Sequence, residues 1–353
     1  MIKIILISTF VIVNLSQLSL AKIASVVGNP ITNEIYFEVN KNTRNYPASL
    51  TKIMTLYIVF DELNKNNLNL NDKIVFSKKA TQQQPSKLNI PQGKSITVEE
   101  IIEGLIIKSG NDAAVAIAEK ISGSEKKFVK LMNKYAKKLN MINTNFSNPN
   151  GLPSRNNLST AYDMFLLSSS LYNDFPSYRH YFNKTKTTIN GVSYKTHNKL
   201  VLKHKYYKGI KTGYIRKSGF QISLLGIFDE KPIVGIYFGG NTAKERNDKI
   251  HFLMKKIVKE NLKNPEIQSS TSNKVNKKYT VQTSSFRDLK KSKIFIFILL
   301  KNNKIKDFKH IHHNIEKKGK YFVTKTEKLS FIEAKKFCDK LKSSQLDCFI
   351  KGN

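Results

Sequence analysis

Tryptophan is absent from the 353 residues, and cysteine occurs only twice. Fifteen Tyr and 21 Phe replace the missing Trp as core bulk, so a wholly disordered chain is excluded. No stretch is long enough to span a bilayer, which takes about 20 apolar residues. The two most apolar runs, Ile4 to Val13 and Ile294 to Leu300, are far shorter, which excludes a membrane-embedded chain. Acidic residues are scarce: 26 Asp and Glu stand against 60 Lys and Arg, a net charge of +34. Such a balance favours polyanions, anionic lipid or an acidic polymer as surroundings, and bears on solubility and partners rather than on fold. The excess is +20 from Lys22 to Asn264 and +13 from Pro265 onward, so no single arm carries it.

The length suggests two domains, each able to bury its own core. Lys3, the apolar run Ile4 to Val13, a polar break at Asn14 to Gln17 and the small residues of Ser19-Leu20-Ala21 have the layout of a secretory signal peptide, residues 1–21. Export to the periplasm is therefore expected, which argues against a nucleic-acid partner. It also permits a disulfide, and Cys338 and Cys348 lie close together near the C-terminus. From Glu34 to Glu38 the pattern reads as a strand, and Ser49 to Leu63 as a helix with Ile53, Leu56, Tyr57 and Phe60 at helical spacing. Val98 to Ile121, Lys126 to Leu139 and Ile250 to Leu262 read as further helices, and Gly219 to Gly240 as a β-hairpin turning at Asp229 to Pro232. Strand material near both ends, with helices between, predicts an α/β domain over 22–262 whose sheet is closed by distant segments. The polar stretch 263–278 reads as a linker. Beyond it, 279–353 reads as strand (Tyr279 to Thr283), helix (Leu289 to Leu300), strands (Phe308 to His313 and Lys320 to Thr324), helix (Ser330 to Leu341) and strand (Asp347 to Ile350), a βαββαβ order.

Three short motifs carry chemistry together. Ser49-Leu50-Thr51-Lys52 is an SxxK; on a helix a step of three residues turns about 300° and rises about 4.5 Å, so the Lys52 amine can reach the Ser49 hydroxyl. A serine at a helix N-terminus also lies near unpaired N–H groups that favour negative charge. Alone the motif says little, since Ser19 to Lys22 and Ser124 to Lys127 repeat it. Ser109-Gly110-Asn111 is an SxN at an expected helix break, matched by letter at Ser154-Arg155-Asn156. Lys211-Thr212-Gly213 is the chain's one KTG, just before the predicted hairpin. The order SxxK, SxN, KTG is the set found in penicillin-binding proteins and class A β-lactamases.

The residues around these motifs narrow the match. Tyr46-Pro-Ala-Ser-Leu-Thr-Lys52-Ile-Met-Thr, Ile107-Lys-Ser-Gly-Asn-Asp-Ala-Ala114, Phe146-Ser-Asn-Pro-Asn-Gly-Leu152 and Gly209-Ile-Lys-Thr-Gly213 closely resemble the low-molecular-mass D-alanyl-D-alanine carboxypeptidases. The resemblance covers roughly 22–262. It implies an α/β fold of the β-lactamase/transpeptidase type, an antiparallel sheet with a helical subdomain. It implies removal of the terminal D-alanine from peptidoglycan stem pentapeptides, covalent inhibition by β-lactams, and no cofactor or metal. By the same resemblance Ser49 is the nucleophile, Lys52 the general base, and Ser109 and Lys211 a proton relay to the leaving amine. Asn111 would bond the substrate amide, Thr212 and Arg246 would hold the terminal carboxylate, and the backbone N–H groups of Ser49 and Tyr214 would form the oxyanion hole. Cationic Lys211 and Arg246 suit a substrate with a free carboxylate. His197, in Thr196-His-Asn-Lys199, reads as a surface residue outside the chemistry.

Tyr279-Thr-Val-Gln-Thr-Ser-Ser-Phe286 and the βαββαβ order resemble SPOR domains, which bind denuded glycan strands of peptidoglycan; the usual Gly before Ser-Phe is Ser284 here. His310, His312 and His313 lack an accompanying carboxylate or thiol, so a metal site is not expected. Other readings of the same residues are a D,D-endopeptidase, a β-lactamase of the same superfamily, and a non-catalytic wall-binding protein. The presence of Ser49, Lys52, Ser109, Asn111 and Lys211 together disfavours the last. Against the β-lactamase, no Glu occurs between Lys126 and Asp229 to serve as the deacylating base, and the acids there are Asp163, Asp174 and Asp229.

Overall fold

The computed structural model describes residues 23–262, 279–301, 313–326, 329, 331–343, 346 and 348–352. The expected signal peptide at 1–21, the linker at 263–278, His310 and His312 lie outside the described residues. Contacts divide the chain into two compact units, Met1–Ile257 and Val258–Asn353.

The first unit is built on a five-stranded antiparallel sheet. Strands β1 (Ala24–Gly28) and β2 (Ile35–Val39) come from the N-terminal end, whereas β7 (Tyr207–Ile215), β8 (Gly219–Phe228) and β9 (Lys231–Gly240) come from the far end. The order is β2-β1-β9-β8-β7, with Val26 opposite Ile236 where the two ends of the unit meet. The predicted hairpin is β8–β9, and a third strand precedes it. Alternation in β7 is diluted by Lys208, Gly209, Lys211, Thr212 and Gly213, so the pattern does not announce a strand there.

Between the sheet's halves lie β3 (Lys73–Val75) and β4 (Ser95–Thr97), which pair with each other, and the small hairpin β5 (Lys186–Ile189) with β6 (Val192–Lys195). The helices are α1 (Lys52–Asn64), α2 (Lys78–Thr81), α3 (Val98–Glu103), α4 (Asn111–Ser122), α5 (Glu125–Lys138), α6 (Ala161–Asp174), α7 (Lys199–Lys203) and α8 (Ala243–Ile257). Helix α1 is the centre of this unit. Ile53, Met54, Leu56, Tyr57, Ile58, Val59 and Phe60 are all buried, because α4, α5 and α6 pack around it. A helix apolar all round belongs inside, and the sequence expectation of one buried face was too narrow. Helix α6 covers β1 and β9, and α8 packs on β8 and β9. Helix α8 begins seven residues before the sequence suggested, where Thr242 Oγ1 accepts the Glu245 N–H at 3.0 Å. Its first turns are charged, and hydrophobic spacing therefore misses them.

The segment read as one helix from Val98 to Ile121 is two helices. After α3 the chain widens into a π-turn over Gly104–Lys108, and Ser109 takes a left-handed conformation, φ 63°. That residue ends the first helix and lets α4 start at Asn111 on a new axis. Ser49 likewise precedes α1 on a 3-10 turn, Ala48–Thr51.

In the second unit β10 (Tyr279–Phe286), α9 (Leu289–Lys301), β11 (His313–Lys318), β12 (Tyr321–Thr326), α10 (Phe331–Ser343) and β13 (Phe349–Gly352) follow one another as βαββαβ. Their sheet order is β11-β12-β10-β13, all antiparallel. A small core of Val281, Leu299, Leu329, Ala334, Phe337 and Leu341 lies between sheet and helices. Cys338 on α10 and Cys348 before β13 are bonded, their Cα atoms 5.6 Å apart.

Candidate active site

A cleft of about 370 Å³ opens in the first unit, lined by Ser49, Ser109, Asn111, Thr212, Tyr214 and Arg246 among others. These residues come from four places in the chain, and the fold brings all of them to one wall or another.

Lys52 occupies the floor. Its side chain is completely buried, and its hydrogen-bond partners among the described residues are Ser49, Asn111 and Asn150 rather than a carboxylate. Its Nζ lies 2.6 Å from Asn111 Oδ1, 2.5 Å from the Asn150 carbonyl oxygen and 3.2 Å from Ser49 Oγ. Burial first, and then the charge of Lys211, hold this amine well below the usual lysine range, although Asp112 opposes them. A neutral amine has two N–H bonds and one lone pair. The two shorter contacts are to oxygens that can only accept, so they take both N–H bonds. The lone pair is left for the Ser49 hydroxyl.

The 3-10 turn that carries Ser49 is clamped from two sides. Gly151, φ +84°, lies so close that a Cβ there would fall 1.8 Å from the Ala48 carbonyl oxygen and 3.0 Å from Ser49 N. On the other side β7 passes the serine at Gly213, where a Cβ would come within 3.2 Å of Ser49 N. Tyr46 O accepts from Gln221 Nε2 at 2.7 Å and from Ser218 Oγ at 3.1 Å, which ties the approach to the serine to β8. Gly151→Ala is expected to cost about 2 to 4 kcal/mol, from the left-handed backbone and the clash together, measured as a lowered midpoint in thermal unfolding. A midpoint within 1 °C of the parent would show that the loop yields instead.

Asn111 is aligned at both ends. Its Nδ2 donates to Gln84 O at 2.8 Å while Oδ1 faces Lys52, which fixes the amide orientation. Beside it Asp112, fully buried, accepts from the N–H groups of Leu88 and Asn89 at 2.9 Å and so secures the loop that contains Gln84, Pro85 and Ser86. The Asn150 side chain donates to Gln83 Oε1 of the same loop at 2.9 Å. Ser109 Oγ is buried in the cleft wall and has no hydrogen-bond partner among the described residues. Asn150 and Asp112 lie in segments that carried the family resemblance but were given no role from sequence, and the 83–86 loop was not singled out. Asn-Pro-Asn-Gly is a turn signal, and an acid in the first turn of α4 is a helix-start signal, but neither says that its residue backs a catalytic group. Ser154-Arg155-Asn156, the other SxN, does not line the cleft.

On the facing wall Lys211, 2% exposed, donates from Nζ to the Thr212 carbonyl oxygen at 3.0 Å. Burial, with Arg246 nearby, pushes its amine down to about 7. Arg246 is also buried; Nε donates to Asn247 Oδ1 at 3.0 Å and NH1 to the Gln221 carbonyl oxygen at 2.9 Å, and burial pushes its guanidinium down to about 10. Arg246, and Lys211 when it holds its proton, have no carboxylate among their hydrogen-bond partners in the described residues and suit an anionic ligand. Tyr214 has its ring half exposed at the cleft mouth against Phe220, centroids 4.2 Å apart. His197 is exposed, as the sequence suggested, and it also contributes to the cleft lining; partial burial and the nearby Lys211, Lys108 and Arg246 hold its imidazole below the usual range.

The depressed Lys211 has a thermodynamic signature. Between about 7 and the free-lysine value of 10.5 the unfolded chain binds a proton that the folded chain does not, so stability rises with pH across that window. Relative to Lys211→Met, which lacks the group, the parent is expected to gain stability from pH 7 to pH 9, by at most about 1.4 kcal/mol per pH unit. Denaturant titrations of both proteins at the two pH values measure it. A constant difference would place the amine's ionisation elsewhere.

The family model of the S11 peptidases, D-alanyl-D-alanine carboxypeptidase, matches residues 14–241. D-alanyl-D-alanine carboxypeptidase DacF of Bacillus subtilis is 36% identical over 227 residues, 62% of this chain and 57% of that protein. DacD of Escherichia coli, of the same description, is 30% identical over 231 residues, 64% of this chain and 60% of its own length. The chain thus spans less than two thirds of the length of these curated relatives. Among solved structures, the D-alanyl-D-alanine carboxypeptidase DacD from Francisella tularensis superposes with a TM-score of 0.65 at 25% identity, covering 75% of this chain and 74% of that one. Penicillin-binding protein D2 from Listeria monocytogenes in its ampicillin-bound form gives 0.61 at 27% identity, covering 68% of this chain and 98% of that one.

Proposed function

The chain belongs to the D-alanyl-D-alanine carboxypeptidase family of serine peptidases, and from that premise we propose that it removes the terminal D-alanine of peptidoglycan stem pentapeptides through an acyl-enzyme on Ser49. The observation that carries this reading is the Lys52 amine, fully buried, with two acceptors taking its N–H bonds and its lone pair left for Ser49. A serine hydroxyl is a weak nucleophile without an adjacent base, and a lysine serves only when its surroundings keep it neutral.

In the proposed reaction Lys52 takes the Ser49 proton as Oγ attacks the carbonyl carbon of the penultimate D-alanine. The developing oxyanion accepts from the backbone N–H groups of Ser49 and Tyr214. Thr212, Lys211 and Arg246 hold the terminal carboxylate, and Asn111 orients the peptide amide. The tetrahedral intermediate collapses by breaking the C–N bond. The proton from Lys52 passes by way of Ser109, beside Lys211, which the bound carboxylate favours in its protonated form, to the leaving amine, and D-alanine departs. Water then attacks the ester and gives its proton to Lys52, restoring Ser49. The unpartnered Ser109 hydroxyl supports the relay role, since a relay needs a donor and acceptor not held by the protein.

Two further parts of the reading concern surroundings. The signal-peptide pattern supports a periplasmic enzyme that meets the wall directly. In the second unit a groove of about 600 Å³ runs along Gln282 to Phe286 beside Phe295 and Phe349, and with the βαββαβ order it supports a SPOR-like domain that binds denuded glycan strands. The full chain incubated with an N-acylated stem pentapeptide should release one equivalent of D-alanine per peptide, read by an enzymatic D-alanine assay. Folded protein that releases none would sink the proposal.

A further inference from the structure

A second cavity, about 320 Å³, adjoins the cleft and shares His197, Ala243 and Arg246 with it. Its other walls are α7 and the first half of α8, and they are strongly basic: Lys199, Lys203, His204, Lys244 and His251 face one acid, Asp248. Asp248 is already paired with Lys244 at 2.7 Å. Glu245, the other acid in the first turn of α8, turns back to the Asn241 N–H and side-chain amide. His251 is engaged by Tyr207, whose hydroxyl lies 2.9 Å from Nδ1, and its ring stacks on His204, centroids 4.7 Å apart. Lys199 and Lys203 are both exposed, and the cavity's one acid, Asp248, which also feels the charge of Lys203, is bonded to Lys244. Structural ion pairing therefore does not account for this concentration of positive charge, which lies around an opening beside the buried Arg246.

The position of Arg246 on both lips gives the cavity a direction. In the reading above Arg246 and Thr212 hold the carboxylate of the departing residue, so whatever lies past Arg246, away from Ser49, belongs to the leaving side of the bond. D-alanine carries one carboxylate and ends there. We propose that the basic cavity is a leaving-group subsite for a second anionic group, so that the enzyme also hydrolyses D-alanyl bonds to D-residues with a side-chain carboxylate. This inference rests on the proposed carboxypeptidase activity and extends its specificity. The chemistry is unchanged: the same amide C–N bond breaks, the same amine takes the proton, and Lys199 and Lys203 act by binding alone.

The same charges could instead receive a free anion, and the test separates the two. The full chain is assayed on N-acyl-D-Ala-D-Ala, N-acyl-D-Ala-D-Glu and N-acyl-D-Ala-D-Gln, the last being isosteric with the second but uncharged. The expected result is kcat/KM for the D-Glu peptide about tenfold above that for D-Gln, the size of one charge-assisted contact. The preference should disappear in Lys199→Gln/Lys203→Gln, with D-Ala-D-Ala cleavage unchanged. Equal rates for D-Glu and D-Gln in the parent, or a preference that survives the double substitution, would overturn the subsite. So would a response of D-Ala-D-Ala cleavage to inorganic phosphate that the double variant loses, without any D-Glu preference; that outcome assigns the cavity to a free anion. No cleavage of any peptide by folded protein would remove the parent activity, and the inference with it.

Discussion

Ser49→Ala is expected to lose D-alanine release by roughly 10⁴-fold or more and to form no adduct with penicillin, while the parent protein accumulates one acyl group per chain. A β-lactam presents a strained amide beside a carboxylate, so in the proposed mechanism the serine, its oxyanion donors and the cationic wall should accept it as they would the peptide. Departure of the drug needs a base to activate water against the ester. From Lys126 to Asp229 the chain has no Glu, and its three acids sit elsewhere in the fold. Asp163 is buried at the start of α6, where Oδ2 accepts from Asn143 N–H at 2.8 Å and Thr144 Oγ1 at 2.7 Å. Asp174 accepts from the Tyr57 hydroxyl at 2.5 Å, and Asp229 sits in the β8–β9 turn with φ 47°. None of the three lines the cleft. Intact-protein mass spectrometry after brief exposure reads the adduct. Fast turnover of drug without accumulation would favour a β-lactamase.

Lys52→Met comes next in size. Removing the base while keeping a long side chain in the buried slot should lower kcat/KM by about 10³- to 10⁴-fold, the usual reach of general acid–base catalysis. In the parent, activity should rise with pH as Lys52 loses its proton, at a value well below that of free lysine. The residual activity of the variant should lack that rise. Since Met leaves Asn111 Oδ1 and the Asn150 carbonyl without their donor, thermal unfolding of the variant must show a folded protein before the rates are compared. A variant that keeps the same acidic limb would assign the ionisation to another group, with Lys211 the first to examine.

How far the site was legible in the sequence depended on how local its parts are. Ser49 and Lys52 are three residues apart, and their 3.2 Å contact follows from helical geometry whether the turn is 3-10 or α. The break at Ser109 was only half readable: Ser-Gly-Asn interrupts the pattern locally, but the apolar periodicity continues from Val98 to Ile121 and hides that two helices meet there. Strand β7 was not readable: half of it faces the cleft, so its polar and glycine residues follow the needs of the site rather than the alternation of a strand.

Sequence alone, through the order of three motifs and the residues around them, pointed to Ser49 as nucleophile, to Lys52 as its base and to the family, and its periodicity carried the βαββαβ order of the second unit. The tertiary structure decided what surrounds them. Asn150 reaches Lys52 across 98 residues, and Gln84 turns the Asn111 amide across 27. Arg246 stands at the junction of two cavities. A lysine is a base only if it is kept from water and from carboxylates, and desolvation is a property of everything packed around a residue. No spacing within the chain encodes it.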